Sequence, residues 1–172
     1  MLRHFTGIEN TMTTLQYNTC VNDYSDAIFR FIVKHIRDDN KAQDIVQEAF
    51  TRLWEKVSDV QAEKAKSYLF TTAYHFMIDN IRKDKKQVVT DLTPEMTERA
   101  HNDYSDLNVI LHEALLKLPE IQKTVIMLRD YEGYSYQEIG EITNLNESQV
   151  KVYIFRARKT LRNYIGKLEN VI

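Results

Sequence analysis

Little in this chain interrupts a helix. Its 172 residues include only four glycines and two prolines, so the composition leans strongly towards helix. Cys20 is the one cysteine and cannot form an internal disulfide. No apolar run exceeds four residues, which excludes a membrane-spanning helix. Met1 to Thr19 has no apolar core of the signal-peptide kind. These absences point to a cytoplasmic protein with no direct membrane insertion. Charge of one sign is lacking too. Lys and Arg number 23 against 25 Asp and Glu, a net charge of -2. A globally basic nucleic-acid protein is thereby excluded, and any such affinity must come from local patches.

A catalytic signature is also missing. His112-Glu113 resembles the start of a zinc-protease helix, but position 116 is Leu where a second His would be needed. His4, His35, His75 and His101 share no ligand spacing, and no Gly-rich phosphate loop occurs. No catalytic residue, metal or cofactor is expected.

What is present is a patterned C-terminal stretch. Ser135 and Glu138 form an S-x-x-E capping box before a short helix. Asn146, with Gln149 in the matching third position, can cap a longer one. Within that second helix Val150, Tyr153 or Ile154, Ala157, Leu161 and Ile165 recur at helical spacing as a buried stripe. From Ser148 to Lys167 there are six Lys or Arg and no Asp or Glu. A short capped helix followed by a purely cationic one suits a helix-turn-helix that enters the major groove. Glu147, Ser148, Gln149, Lys151 and Val152 would meet base edges there. Arg156, Arg158, Lys159 and Arg162 would lie along phosphates, which give affinity without sequence choice.

Upstream, residues 1–22 show no periodicity and read as a frayed or loosely docked extension. Tyr24, Ile28, Phe31, Ile32 and Ile36 mark a first amphipathic helix over 23–37, with His35 as a satisfied, half-buried residue beside the stripe. A second helix over 42–55 has a wide buried face of Ile45, Ala49 and Leu53 with the flanking Val46, Phe50 and Trp54. Its opposite face carries Asp44, Gln47, Glu48 and Glu55, either a solvated face or a docking surface for a basic partner. A polar loop over 58–66 precedes a third helix, which extends to about 85. Tyr68, Phe70, Tyr74, His75 and Phe76 interleave there with polar residues ahead of Arg82, Lys83, Lys85 and Lys86. That pattern fits stacked single-stranded bases or, equally, core packing with a cationic helix end. Residues 88–106 hold five acidic residues against one basic and read as a flexible linker. A helix ending at Pro119, another over 120–131 that buries Val125, Ile126 and Leu128, and the helix-turn-helix complete a four-helix C-terminal unit. The fold class is all-α, two small helical domains on an acidic tether.

Taken together these stretches resemble a known family, the small extracytoplasmic-function sigma factors of bacterial RNA polymerase. Ala42-Gln-Asp-Ile-Val-Gln-Glu-Ala-Phe-Thr-Arg-Leu-Trp54 is similar to the family's core-binding helix. Tyr68-Leu-Phe through Ala73 to Asp79-Asn-Ile-Arg82 resembles its minus-10 helix. Leu118-Pro-Glu, Glu132-Gly-Tyr-Ser-Tyr-Gln-Glu-Ile-Gly140, Val150-Lys151 and Arg156-Ala-Arg158 resemble its minus-35 reader. The resemblance implies region 2 over 23–87 and region 4 over 107–172. It implies that Asp44, Gln47 and Glu48 dock on the clamp helices of core RNA polymerase, with the flap as a further contact. It implies minus-10 contacts from Tyr68, Tyr74, His75, Asn80, Arg82 and Lys83, promoter DNA as ligand and an anti-sigma factor as partner. Two departures stand out. Tyr74-His75 replaces the family's Arg-Asn, and Gly140 replaces a small Ala, a change acceptable on size grounds.

The alternative reading is a stand-alone helix-turn-helix regulator, which would bind operator DNA tightly by itself, usually as a dimer on palindromic sites. It leaves the acidic face and the aromatic-basic helix without a role.

Overall fold

The computed structural model describes residues 11–88 and 106–169, and among these it contains helices and short connections only. The helices are α1 (Thr14–Ile36), α2 (Asp39–Glu55), α3 (Ala65–Val88), α4 (Asp106–Leu116), α5 (Glu120–Asp130), α6 (Tyr136–Thr143) and α7 (Glu147–Glu169). The all-α expectation is met. A single 3-10 turn, Ala62–Lys64, lies in the polar loop ahead of α3. The chain divides into two compact units, Met1–Ile81 and Arg82–Ile172. The acidic linker read from the sequence falls almost wholly on 89–105, outside the described residues.

In the first unit α1 and α2 are joined by a sharp corner. Arg37 takes the left-handed conformation, at φ 54°, and closes α1 by donating its backbone N–H to the Val33 carbonyl. Asp38 then caps α2 by accepting from the Lys41 amide at 3.0 Å. The buried stripes are Ile28, Phe31 and Ile32 on α1, Ala42, Ile45, Ala49 and Leu53 on α2, and Leu69, Phe70, Ala73 and Met77 on α3. Each large member contributes about 1.5–3 kcal/mol by leaving water. Phe31 ties two helices together, its ring meeting Phe70 edge-on at 5.7 Å. His35 is buried, its Nδ1 2.7 Å from the Phe31 carbonyl, as a satisfied core histidine should be.

Residues 1–10 of the expected frayed extension over 1–22 lie outside the described residues, but 11–22 differ from that expectation. The helix begins at Thr14, and Thr13 caps it with a complete capping box to Gln16. Met12 is buried and its amide donates to the Val57 carbonyl at 3.2 Å. Tyr17 donates its hydroxyl to the Phe50 carbonyl at 3.0 Å and meets the Trp54 ring at 4.9 Å. Cys20 is buried as well, and burial, with Asp23 nearby, pushes its thiol pKa up. These contacts are sparse along the sequence, separated by Thr, Gln and Asn, so no dense apolar stripe announces them.

In the second unit α5 is central. Lys123 to Leu128 are buried without a break, because α7 and α6 both pack against this helix. An amphipathic reading finds only Val125, Ile126 and Leu128. Around α5 the helix-turn-helix closes tightly. Asn144 ends α6 in the left-handed conformation at φ 58°, and both it and Leu145 donate backbone N–H groups to the Gly140 carbonyl. A Cβ on Gly140 would lie 2.5 Å from the Leu145 carbonyl oxygen. Glycine therefore fits this position where even the small Ala of the family pattern would be crowded, because the neighbour is backbone and cannot rotate away.

Two stability measurements follow. Tyr17→Leu removes the hydroxyl bond and the edge contacts to the Trp54 and Phe50 rings, at 4.9 and 6.4 Å, and is expected to cost about 1–2 kcal/mol by urea unfolding. A loss within error would mean that residues 12–19 do not brace the unit. Gly140→Ala is expected to cost about 1–3 kcal/mol through overpacking, read as a lowered melting temperature. An unchanged melt would show that the turn relaxes freely.

Candidate nucleic-acid interface

The second helix of the helix-turn-helix starts where its caps put it. Gln149 donates its backbone N–H to Asn146 Oδ1 at 2.8 Å, and Asn146 donates its own to Gln149 Oε1 at 2.9 Å. With that start fixed, Val150, Ile154 and Ala157 face inward and are buried. Ile154, rather than Tyr153, is the core member. The outward face then carries Ser148, Val152, Phe155, Arg156, Lys159 and Arg162, all exposed. Phe155 is 69 % exposed and Val152 is 45 % exposed. Phe155 is absent from the residues singled out by sequence, although its place on the outward face follows from the same helical spacing.

The cations of α7 divide into two groups. Arg158 donates from Nη2 to Asp130 Oδ1, at the end of α5, at 2.7 Å. That bond pushes the guanidinium pKa further up, so it stays charged at every working pH. Lys151 meets Glu147 at 2.8 Å, one turn earlier on its own helix. Lys151 also lies 5.5 Å from the centre of the Tyr136 ring, which Arg129 of α5 covers at 4.7 Å. Lys151 and Arg158 are seven residues apart, on one stripe that faces α5 and α6. Among the described residues no ion pair engages Arg156, Lys159 or Arg162.

Gln149 is exposed, but its side-chain oxygen is committed to the cap. A bidentate contact to adenine needs both the oxygen and the nitrogen of the amide, so this residue can offer a base only its donors unless the cap opens.

Along α3, Tyr68, His75 and Arg82 follow each other at seven-residue spacing and share one stripe. Tyr68 is half-buried, while His75, Arg82 and Lys83 are exposed. Tyr74 belongs elsewhere. It is 9 % exposed and on the inner side of α3, so its ring is not available to stack on a base. Asn80 is half-buried and donates its amide to the Phe76 carbonyl at 2.8 Å, a bond within its own helix. An aromatic interleaved with polar residues reads alike whether it faces in or out, and only the phase of the helix separates Tyr74 from Tyr68.

On α2, Asp44 and Gln47 are exposed and lie on one face with Glu48. Glu48 accepts from Arg52 at 3.2 Å, and Arg52 reaches Glu55 at 3.4 Å. Trp54 is not in the buried face where its apolar character placed it: it continues the stripe of Gln47 seven residues on, 48 % exposed, with its ring held by Tyr17.

Residues 20–87 match the Sigma-70 region 2 family, and residues 108–161 match Sigma-70, region 4. The RNA polymerase sigma factor SigV of Bacillus subtilis (strain 168) is 36% identical over 152 residues, 87% of this chain and 90% of the relative. The ECF RNA polymerase sigma factor SigW of the same organism is 30% identical over 165 residues, 86% of this chain and 88% of the relative. Among solved structures, the sigma factor RpoE from Bartonella quintana, crystallised with the anti-sigma factor NepR, is alike in fold. The TM-score is 0.76 at 22% identity, over 87% of this chain and 96% of that one.

Proposed function

The chain belongs to the extracytoplasmic-function sigma factors of the sigma-70 family, and on that footing we propose that it acts in the cytoplasm as a promoter-specificity subunit. It binds core RNA polymerase and directs it to promoters, with no chemistry of its own. The observation that carries this reading is a capped helix-turn-helix with an outward cationic face, behind a separate unit that matches region 2.

In this proposal residues 23–87 dock on the polymerase clamp helices through Asp44, Gln47 and Glu48. The α3 stripe of Tyr68, His75 and Arg82, with Lys83 beside it, holds the minus-10 strand. Tyr74 and Asn80 support that helix from within and leave the set of contacts. Residues 107–172 lie against the flap and read the minus-35 duplex with Ser148, Val152, Phe155 and the donors of Gln149. Arg156 and Lys159 meet phosphates. The stretch over 88–106 tethers the units, and the avidity of two weak contacts inside the polymerase supplies the affinity that each lacks alone. An anti-sigma factor is the partner that would hold the chain inactive, as the family implies.

Sigma-free core polymerase mixed with the purified chain should form a stable complex, and charge reversal at both Asp44 and Glu48 should abolish it. Absence of that complex, beside tight binding of the free chain to duplex DNA, would move the assignment to a stand-alone regulator. On promoter DNA, Arg156→Ala or Lys159→Ala should each lower the salt slope of binding by about 0.9 without changing the preferred sequence. A change in preference from either would remove it from the phosphate set.

A further inference from the structure

Two of the α7 cations singled out as DNA contacts, Arg158 and Lys151, are already paired with carboxylates. The Arg158 pair is the one that joins two helices. Asp130 closes α5 and lies 28 residues from Arg158 in sequence, yet its carboxylate stands 2.7 Å from the guanidinium. Arg158 is about one quarter-turn off the face of Ser148, Val152, Phe155 and Lys159, and Asp130 draws it further to that side, towards α5.

We infer that Asp130 is a specificity residue that withholds Arg158 from DNA phosphates. The inference rests on the DNA-binding reading above. Phosphate contacts are blind to sequence, so each cation left free on α7 raises affinity for all DNA alike. A carboxylate that occupies one of them lowers that common term. Promoter choice is then left to the residues that face the bases. Both partners are about half exposed, their side chains 48% and 42%, so the pair is soft and water screens it. It restrains Arg158 without anchoring it, and a phosphate that came close enough could compete.

The opposite assignment, a carboxylate that aims Arg158 at a phosphate, needs the guanidinium on the outward face. The bond to α5 places it away from that face. The two assignments predict opposite signs for one substitution.

The test uses the full-length chain and a short labelled duplex of random sequence, titrated over a salt series by fluorescence anisotropy. Asp130→Asn keeps the shape of the side chain and removes its charge. It should tighten binding about threefold, within what an exposed pair can supply, and steepen the salt slope by about 0.9. In an Arg158→Met background the same change should leave the slope as it was and give a smaller gain, because the coupling is pairwise. Equal gains in both backgrounds would mean a general field effect and overturn the inference. No gain, or weaker binding, would overturn it as well and make Asp130 inert or an aiming residue. Unaltered melting temperatures confirm that the comparison is between folded chains. A wild-type chain with no salt-dependent DNA binding would overturn the DNA reading and this inference with it. Binding that is indifferent to Asp130 overturns the inference alone.

Discussion

The first amides of a helix have no partner within it, and an oxygen must be brought to them. Three helices of this protein meet that need with the same reciprocal device. Thr13 with Gln16, Ser135 with Glu138 and Asn146 with Gln149 each exchange side-chain and backbone bonds. The consequence reaches beyond the ends. Once the first residue of α7 is fixed, helical phase decides that Val150, Ile154 and Ala157 go inward and Val152, Phe155 and Lys159 go outward. Moving the start of α7 by one residue would rotate the whole face by about 100°. The same cap also limits Gln149, since an oxygen that satisfies the backbone cannot at the same moment accept from a base.

Charge on both candidate surfaces is held in local pairs. Glu48, Arg52 and Glu55 form a short chain on α2, and Glu147 with Lys151 and Asp130 with Arg158 do the same around α7. All are exposed, so none holds the fold together to any great extent. Stability lies instead in the two apolar cores, around Phe31 and Phe70 in one unit and around α5 in the other. This separation leaves the surface charges open to rearrangement with little effect on the cores beneath.

Much of this architecture was legible in the sequence, for reasons that can be named. Capping boxes are local, and S-x-x-E reads directly as a helix start. The stripe on α7 has one phase only, so Val150 and Ala157 could be placed. What escaped depends on distance or on packing from several sides. The bond between Asp130 and Arg158 spans two helices and leaves no trace in spacing. The all-round burial of Lys123 to Leu128 defeats a search for one apolar face. The first turns of α1 hold on through Met12, Tyr17 and Cys20, too widely set among polar residues to stand out. Tyr74 and Tyr68 look equivalent in the sequence and face differently in the fold.

Trp54 is the one tryptophan of the chain. It lies on the stripe of Gln47, half exposed, with the edge of Tyr17 against its ring. Indole emission depends on contact with water, so the protein carries a single built-in fluorophore at the rim of its candidate docking surface. All tryptophan light from this chain comes from that one spot, and a macromolecule settling on α2 would announce itself as a change of colour without any label attached.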